Sequence, residues 1–515
     1  MNAGRWNLLW FLFFALLLVR FSLLGAYPLM DTTEARYAEI ARKMVELNDW
    51  ITPWFAPEVP FWGKPPLSFW ATALSFKLFG VHEFSARLPH FLAGLLILGL
   101  LHRWVQKRSA DLANTFTLLL GSSLLFFAAS GLVMTDIWLL FAVVLAMIAF
   151  WDALPCPPGQ AAPAQTLAPI WFFVGLGLGL LAKGPLILVL VGFPVLIWLI
   201  YQRDWRSVWR ALPWMWGSLL VFLIAVPWYL LAEWKTPGFL NYFILGEHFY
   251  RFTVPGWQGD LYGSAHLQPK GTIWLYAWVD LLPWALLVPI WLLFRLLPKR
   301  VDSAPTPPVQ ANWSIYLLSF ALTPLLFFSF AGNILWPYVL PAVPALLLLL
   351  AQQIEARTAK NPEVKQRFLL SGLLSMLAML VLLAGIYQYD HRGERKSEKF
   401  LIEHYQQLQQ GQPLVYWQNK PFSASFYSAN QALQVQDWPA LESLLLEHSE
   451  LFLAIRPKAL SLLPAEYKAH LHFEQTFGRY HLYRLSAKGP LVPPIESMPS
   501  TEGALNWKVP VEKAS

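Results

Sequence analysis

Cysteine and charged residues are both scarce in this 515-residue sequence. The single cysteine, Cys156, excludes an intrachain disulfide and any metal site built on several thiolates. Only 13% of the residues are charged, whereas 56% are hydrophobic and 27 are tryptophan, a balance that excludes an ordinary soluble core. The composition therefore predicts an integral membrane protein.

A signal-peptide cleavage site is lacking as well. The first apolar stretch, from Leu8 to about Ala26, is longer than the core of a signal peptide, and no small-residue cleavage motif follows before Asp31. We expect this stretch to remain in the membrane as an anchor.

Apolar windows of the length needed to cross a hydrocarbon core, about 20 residues for roughly 30 Å, recur along the chain. Eleven such windows fall at approximately residues 8–28, 84–105, 111–129, 132–152, 168–183, 185–202, 211–232, 272–296, 313–330, 334–352 and 367–388. Basic clusters follow the second, sixth, eighth and tenth windows, whereas the Pro-rich connection at 155–169, which follows the fourth, carries no Lys or Arg. The positive-inside rule places these clusters in the cytoplasm. The net charge of +7 is thus better explained by topology than by binding of nucleic acid.

The predicted fold is an α-helical polytopic membrane protein with about 11–13 transmembrane helices and a small C-terminal α/β domain. We expect a transmembrane domain over residues 1–388, with long external loops at about 29–83 and 233–271. Short apolar runs at 413–417 and 451–455 alternate with helix-like stretches and predict a soluble domain over 389–487, followed by a disordered tail at 488–515.

The first external loop begins with "PLMDTTEARYAEIARKM", in which Tyr37, Ile40, Ala41 and Met44 recur at helical spacing among charged residues. This pattern predicts an amphipathic helix that lies in the membrane interface, and a second such helix is expected from Pro66 to Phe79. Asp31 stands at the junction of span and helix. Either it caps the helix, with Glu34 completing a capping box, or it takes part in catalysis, and the two roles are compatible.

Further ionisable residues are expected near the same external face. Asp136 lies about one turn into an apolar span. Inserting a carboxylate there costs about 2.5–3.5 kcal/mol, whereas a helix dipole stabilises it by only about 0.3–1 kcal/mol. Because the cost exceeds the stabilisation, a functional role is favoured. Lys183 is either functional or a lysine that snorkels to the interface. Glu247, His248 and Arg251 cluster within "EHFYR", and Lys64 lies in the first loop. Cations suit a phosphate and carboxylates suit activation of a hydroxyl or amine.

The segments "DTTEARYAEIARKM", "NDWITPWF", "KPPLSFW", "FSARLP", "GLVMTD", "LAKGP", "EHFYRF" and "PYVLPAVPAL" carry a family resemblance. In this order, over roughly residues 8–350, the chain resembles the bacterial glycosyltransferase C family that includes the lipid A aminoarabinose transferases and is related to the protein O-mannosyltransferases. The resemblance implies an inverting transfer of a sugar from a polyprenyl (undecaprenyl) phosphate donor to a lipid A, glycan or protein acceptor on the periplasmic side of the bacterial inner membrane.

By the same resemblance, Asp31 is the base or acceptor-orienting carboxylate and Asp136 is the second acidic residue of the cavity. Substrate-binding roles are implied for Arg36, Tyr37, Lys64, Lys183, Glu247, His248, Arg251 and Tyr338.

Two departures from the family pattern bear on these roles. Thr33 stands where the relatives have an aspartate directly before the Glu-x-Arg-Tyr-Ala motif, so that both Asp31 and Glu34 are candidate bases. Gly63 replaces a glutamate before Lys-Pro-Pro, and we therefore expect a reaction without a cofactor or bound metal rather than one with a divalent metal near His248.

A polytopic transporter or lipid flippase is the alternative from another functional class. Such proteins commonly show inverted repeats and ionisable residues near the membrane midplane. The sequence shows no such repeat, and its intramembrane charges lie near one face.

Overall fold

The structure is a computed structural model that describes residues 3–154, 167–263, 266–286, 289 and 308–486. Cys156, most of the Pro-rich connection, the end of the predicted span 272–296 and the predicted tail at 488–515 lie outside the described residues. The chain forms two compact units. The first comprises residues 1–406 and 420–432, and the second comprises residues 407–419 and 433–515.

The first unit is built from helices. In chain order they are α1 Ala3–Ala26, α2 Thr33–Glu46, α3 Leu67–Phe79, α4 Glu83–Gln106, α5 Ala110–Gly121, α6 Leu124–Ala129, α7 Asp136–Ala153, α8 Ala168–Lys183, α9 Leu186–Gln202, α10 Trp205–Ala211, α11 Trp214–Lys235, α12 Phe239–Asn241, the π-helix Tyr242–Tyr250, α13 Arg251–Thr253, α14 Thr272–Asp280, α15 Pro308–Ser329, the 3₁₀ helix Trp336–Ala342, α16 Val343–Thr358, α17 Pro362–Tyr389, α18 Arg392–Lys396, α19 Lys399–Leu408 and α20 Phe422–Tyr427.

Seven of the helical segments within the described residues are long and apolar enough to cross a membrane. They are α1, α4, α7, α11, α15, α17 and the continuous run Trp336–Thr358, which joins a 3₁₀ turn to α16. The apolar helices α8 and α9 are shorter, and they coincide with predicted windows. The prediction of a polytopic helical membrane protein is confirmed.

Two predicted spans differ from the observed helices. The window 111–129 is broken between α5 and α6, where the Ser122 hydroxyl donates to the Leu118 carbonyl and the Leu124 N–H donates to the Leu282 carbonyl at 2.8 Å. Such side-chain bonds to the preceding turn compete with the helical ladder. The window 272–296 starts with α14, which ends at Asp280 and is followed by a 3₁₀ turn at Trp284–Leu286.

Ion pairs between helix ends mark the two faces of the helix bundle. Lys183, the last residue of α8, pairs with Asp136, the first residue of α7, on the face where α1 also ends. On the other face, Lys107 follows α4 and pairs with Asp152 near the end of α7. The alternating helix directions agree with the predicted topology.

The first external loop contains both predicted helices, α2 and α3, with a two-stranded hairpin between them, β1 Trp54–Ala56 and β2 Val59–Pro60. The apolar face of α2 is buried as expected. Its charged face is buried too, because the side chains of Glu39, Arg42 and Lys43 are 1–7% exposed. The predicted amphipathic helix is therefore present, but much of its charged face is covered by protein. Helix α20, from a distant part of the same unit, packs against α2.

The second unit is a small α/β domain with one mixed sheet. Its strands are β3 Leu414–Trp417, β4 Leu433–Val435, β5 Glu450–Ile455, β6 Leu471–Phe477 and β7 Tyr480–Ser486, in the spatial order β4-β3-β5-β7-β6. β3 pairs in parallel with β4 and β5, whereas β7 runs antiparallel to β5 and β6. Its helices are α21 Trp438–Glu447 and α22 Ala465–Lys468, with a 3₁₀ turn at Pro457–Leu462. The apolar runs read from the sequence as strands are β3 and β5.

The division between the units differs from the predicted boundary at residue 388. Helix α17 does end at Tyr389, but the membrane unit continues to Gln406 and also includes Lys420–Ala432. The segment 420–432 lies between β3 and β4 in sequence, so the chain leaves the sheet, returns to the membrane unit and enters the sheet again.

Helix α8 approaches α7 closely at Gly175. A Cβ added there would lie 2.8 Å from the Ala146 nitrogen and 2.9 Å from the Ala142 carbonyl oxygen, both of them backbone atoms. We expect Gly175→Ala to lower the free energy of unfolding by about 1–3 kcal/mol, because the two helices must move apart. Thermal unfolding in detergent measures this change.

The matched control for this substitution is Gly192→Ala in α9, where an added Cβ meets nothing within 4 Å. It should leave the stability unchanged or raise it slightly, since alanine is the better helix former. Equal effects of the two substitutions would contradict close packing of α7 against α8.

Candidate active site

Four charged side chains from both long external loops form one network, here called the external ion cluster: Lys64, Glu247, Arg251 and Asp260. The Lys64 Nζ donates to Glu247 Oε2 at 2.7 Å, and Arg251 Nη1 donates to Glu247 Oε1 at 2.9 Å. Arg251 Nη1 also lies 3.3 Å from Asp260 Oδ2. Two cations from different loops therefore converge on one carboxylate, whose side chain is 4% exposed.

The local chain geometry explains this convergence. The π-helix Tyr242–Tyr250 leads into α13, and this places Glu247 and Arg251 on one face, as the spacing predicts. In the first loop, Gly63 allows the chain to pass the Phe61 ring, because a Cβ at this position would lie 2.9 Å from it. The lack of a side chain at position 63 thus contributes to the packing that positions Lys64.

Electrostatics keep Glu247 ionised. Burial alone would raise the pKa of its carboxyl, but the positive charges and hydrogen bonds of Lys64 and Arg251 lower that pKa to about 2. The same carboxylate raises the pKa of Arg251 against the opposing effect of burial. The cluster therefore holds two fixed cations at neutral pH, each with a side chain that is 19% exposed.

A second ion pair lies beside the cluster. Lys183 Nζ donates to Asp136 Oδ1 at 2.5 Å and lies 4.9 Å from the centre of the Tyr338 ring. Asp136 is the first residue of α7 and does not lie one turn inside it, so the predicted position within the span is wrong. The carboxylate is stabilised by both the helix N-terminus and the lysine.

His248 connects this pair to the cluster. Its Nε2 lies 3.1 Å from the Lys183 carbonyl oxygen and its Nδ1 lies 2.7 Å from the Phe243 carbonyl oxygen. Burial lowers the pKa of this imidazole, although both hydrogen bonds oppose the change. Since both ring nitrogens face backbone carbonyls, His248 has a structural role in this arrangement.

Two tyrosines lie between the ion pairs. The Tyr338 hydroxyl is within electrostatic range of Lys64, Asp136, Glu247 and Arg251. The Tyr37 hydroxyl, on α2, is within range of Arg36, Asp136, Lys183 and Glu247. The structure thus brings nine of the predicted site residues together: Arg36, Tyr37, Lys64, Asp136, Lys183, Glu247, His248, Arg251 and Tyr338.

Arg36 differs from the other cations of the site. Its Nη1 donates to the Tyr262 carbonyl at 2.5 Å, and its guanidinium lies 5.3–5.7 Å from the ring centres of Tyr37, Phe61 and Phe422. Within the described part of the chain it forms no ion pair with a carboxylate, and its Nε is buried without a hydrogen-bond partner. Arg36 is therefore a cation whose charge is balanced by aromatic faces and one carbonyl.

Asp31 lies five residues before Arg36 in the sequence, but it does not cap α2. The first helical residue follows Thr32, and the structure shows no side-chain cap there, so the predicted capping box is wrong. Instead, Asp31 Oδ1 accepts from the Ser423 N–H at 3.1 Å, and Asp31 Oδ2 accepts from the Ser423 hydroxyl. The Asp31 carboxylate is thus fixed by a residue from the segment 420–432.

Glu34 is fully engaged in a buried ion pair. Its two oxygens accept from Nε and Nη2 of Arg87, each at 2.8 Å, and also from the backbone N–H groups of Met30 and Val133. Arg87 is 0% exposed, and its remaining donors bind backbone carbonyls at the end of α1. These contacts give Glu34 a structural role, and the assignment of Asp31 as the base stays a prediction.

Sequence reasoning missed several residues of the site. Asp260 and Tyr262 lie in the second external loop, and no periodicity singles them out. Ser423 and Phe422 lie nearly 400 residues after Asp31, in a region read as part of the soluble domain, where nothing marks them as partners of α2. Arg87 stands within "FSARLP", which the resemblance quoted without assigning the arginine a role.

A metal site is not apparent in the described residues, which contain no group of three or more potential metal ligands from His, Cys, Asp and Glu. The expectation of a metal-independent reaction stays a prediction.

The buried Glu34–Arg87 pair predicts a large effect on stability. Glu34→Gln leaves the Arg87 charge buried without a counter-charge, which typically costs about 3–5 kcal/mol. The control is Lys107→Gln, which breaks the Lys107–Asp152 pair; the Lys107 side chain is 64% exposed, so the expected cost is below about 1 kcal/mol. Thermal unfolding in detergent compares the two variants, and similar midpoints would contradict the structural role of Glu34.

The lowered pKa of Glu247 predicts a pH-dependent contribution to stability. Since the folded-state pKa of about 2 lies below the ordinary 4.5, the contribution is fully present above about pH 4.5 and is lost as the pH falls toward 2. Glu247→Gln should therefore destabilise the protein by about 1.5–3 kcal/mol at pH 7, the range for hydrogen bonds to charged groups. A pH series of unfolding midpoints should show this difference shrinking below pH 4.5; a difference that does not change with pH would contradict the assignment.

Several known proteins are similar to this chain in sequence. Residues 6–243 match the model of the family described as dolichyl-phosphate-mannose-protein mannosyltransferase. An undecaprenyl phosphate-alpha-4-amino-4-deoxy-L-arabinose arabinosyl transferase of Erwinia tasmaniensis is 30% identical over 414 residues, which cover 77% of this chain and 69% of the relative. The enzyme of the same name from Edwardsiella ictaluri is 31% identical, with 73% and 65% covered. The chain thus spans about two thirds of the length of these relatives.

Solved structures agree at the level of fold. The crystal structure of ArnT from Cupriavidus metallidurans bound to undecaprenyl phosphate superposes with a TM-score of 0.70 at 20% identity, and the match covers 95% of this chain and all of that one. Its apo form gives a TM-score of 0.72. With the helical bundle, the small C-terminal sheet and the level of sequence identity all in agreement, the chain belongs to the glycosyltransferase C family, as a multi-pass membrane protein of the aminoarabinose transferase type.

Proposed function

We propose that this protein transfers a sugar from a polyprenyl phosphate donor to an acceptor at the external face of the membrane, with inversion at the anomeric carbon. Undecaprenyl phosphate-linked 4-amino-4-deoxy-L-arabinose is the proposed donor, supported by the names of the relatives. Lipid A is the proposed acceptor, with a glycan or a protein as alternatives. The comparisons favour a transferase over the transporter.

The observation that carries the proposal is the convergence of Lys64 and Arg251 on the buried Glu247 at the external ends of apolar spans. A lipid phosphate needs both features, because its charge must be matched by fixed cations while its tail stays among apolar helices. Glu247 fixes the two cations at neutral pH, so they are in place before the donor arrives. This preorganisation favours stabilisation of charge as it develops on the leaving phosphate.

The proposed reaction is a single displacement. The acceptor oxygen attacks the anomeric carbon from the face opposite the phosphate, and the bond between this carbon and the phosphate oxygen breaks. The polyprenyl phosphate leaves with the bonding electrons and is stabilised by Lys64 and Arg251. The acceptor proton passes to the Asp31 carboxylate. Asp136, Lys183 and the two tyrosines orient the sugar and acceptor between these groups, since alignment contributes strongly to such transfers.

The proposed location is the bacterial inner membrane, with the site and the C-terminal domain on the periplasmic side. The basic residues that follow α4, α9 and α16 support this orientation by the positive-inside rule. The pairs Asp136–Lys183 and Lys107–Asp152 lie on opposite faces, in agreement with it.

Asp31→Asn tests the catalytic assignment. Loss of the base should lower the transfer rate by about 10²–10⁴-fold while the protein still folds in the membrane. Purified enzyme in liposomes, supplied with donor and lipid A, allows product formation to be measured by mass spectrometry. Binding of undecaprenyl phosphate, followed as a thermal shift, should be unchanged.

Glu46→Gln at the far end of α2 is the control, because the Glu46 side chain is 52% exposed and pairs only with Arg42 among the described residues. It should leave the rate within about twofold of the unmodified protein. Near-normal turnover by Asp31→Asn would refute the role of Asp31. A chain that moves donor lipid between leaflets without forming any sugar-transfer product would instead support the transporter alternative.

A further inference from the structure

The Asp31 carboxylate is held by Ser423, which lies 392 residues later in the sequence. Ser423 donates to it twice, from its backbone N–H to Oδ1 at 3.1 Å and from its hydroxyl to Oδ2. The same hydroxyl oxygen accepts from the Glu398 N–H at 3.0 Å, and the Asp31 N–H donates to the Lys396 carbonyl at 2.8 Å. Ser423 is 0% exposed. Its hydroxyl therefore has one fixed orientation, with its proton directed at the carboxylate.

The segment that carries Ser423 is firmly attached to the membrane unit. The Tyr427 hydroxyl donates to Glu83 Oε1 at 3.0 Å and accepts from the Leu29 N–H at 2.7 Å. Phe426 is buried among apolar side chains of α2 and α3. These contacts lie on both sides of the Asp31 junction, so the segment acts as a rigid support rather than a mobile cover.

Next to Ser423, Phe422 contacts the second charged residue of α2. Its ring centre lies 5.7 Å from the Arg36 guanidinium and 5.2 Å from the Phe55 ring. One short stretch of chain thus orients both an anionic and a cationic group of the site. The serine contact is directional, whereas the phenylalanine contact restricts the space open to Arg36.

We propose that Ser423 is a positioning residue for the transfer reaction, which fixes the Asp31 carboxylate in the orientation that accepts the acceptor's proton. This inference rests on the proposed function, since it presupposes Asp31 as the base. A carboxylate on a freely rotating side chain would meet the acceptor in many orientations, and small misplacements cost large factors in rate. Ser423 removes that freedom, and its hydrogen bond also stabilises the ionised form of the base.

Ser423→Ala tests the proposal, with the full-length enzyme in liposomes and lipid A as acceptor. We expect kcat to fall about 10- to 100-fold while the KM values of donor and acceptor stay within twofold. The acidic limb of the pH–rate profile should move to higher pH by about one unit, because a carboxylate that has lost a donor holds its proton more tightly.

The matched control is Ser428→Ala. Ser428 lies in the same segment, and its hydroxyl donates to the Ala424 carbonyl at 2.6 Å and accepts from the Ala432 N–H, so it supports the segment without touching Asp31. We expect Ser428→Ala to leave the pH profile unchanged and kcat within twofold. Equal effects of the two substitutions, or a slower Ser423→Ala enzyme with an unshifted profile, would overturn the positioning role.

The same assay separates this inference from the proposed function. If the unmodified protein forms the sugar-transfer product, the proposed function stands, and the comparison of Ser423→Ala with Ser428→Ala decides the role of Ser423 alone. If the unmodified protein forms no product with any of the lipid A, glycan or protein acceptors, the proposed function fails, and the positioning role fails with it.

Discussion

Charge neutralisation at the edge of a low-dielectric region is the constraint on which this structure depends. A charged side chain that leaves water near apolar helices must meet an opposite charge or a set of dipoles. Glu34 with Arg87, Asp136 with Lys183, and Glu247 with Lys64 and Arg251 all satisfy this requirement. Except for Glu247 with Arg251, each pair joins elements that are distant in sequence, so neutralisation also contributes to how the loops pack on the helices.

The pairs differ in what they leave accessible. Glu34 and Arg87 neutralise each other through two hydrogen bonds, so both belong to the structural framework. Lys64 and Arg251 share the Glu247 carboxylate, and Arg251 also faces Asp260, so the two cations of the cluster are matched by two carboxylates while their side chains stay 19% exposed. Arg36 relies on aromatic faces and a carbonyl. The cations thus range from Arg87, which is fully buried in its ion pair, through the partly exposed Lys64 and Arg251, to Arg36, which has no carboxylate partner among the described residues.

Much of this architecture can be predicted from the sequence. The apolar windows give the helices and their directions, and the order of the motifs gives the family, because both signals are local. The pairing of Glu247 with Arg251 follows from helical spacing. The break after Ser122, the burial of the charged face of α2 and the contact of Asp31 with Ser423 are not local, since each depends on a partner from elsewhere in the chain. Helical periodicity cannot show whether a polar face meets water or protein.

The excursion of the chain through residues 420–432 has a consequence for biosynthesis. Asp31 is synthesised before the spans that follow it, yet the serine that holds its carboxylate is synthesised 392 residues later, after β3 of the sheet domain. Insertion of the spans alone does not form the contact between Asp31 and Ser423. Completion of the Asp31–Ser423 contact is thereby tied to translation of the C-terminal region, and a cut after α17 would separate the two halves of one hydrogen-bonded junction.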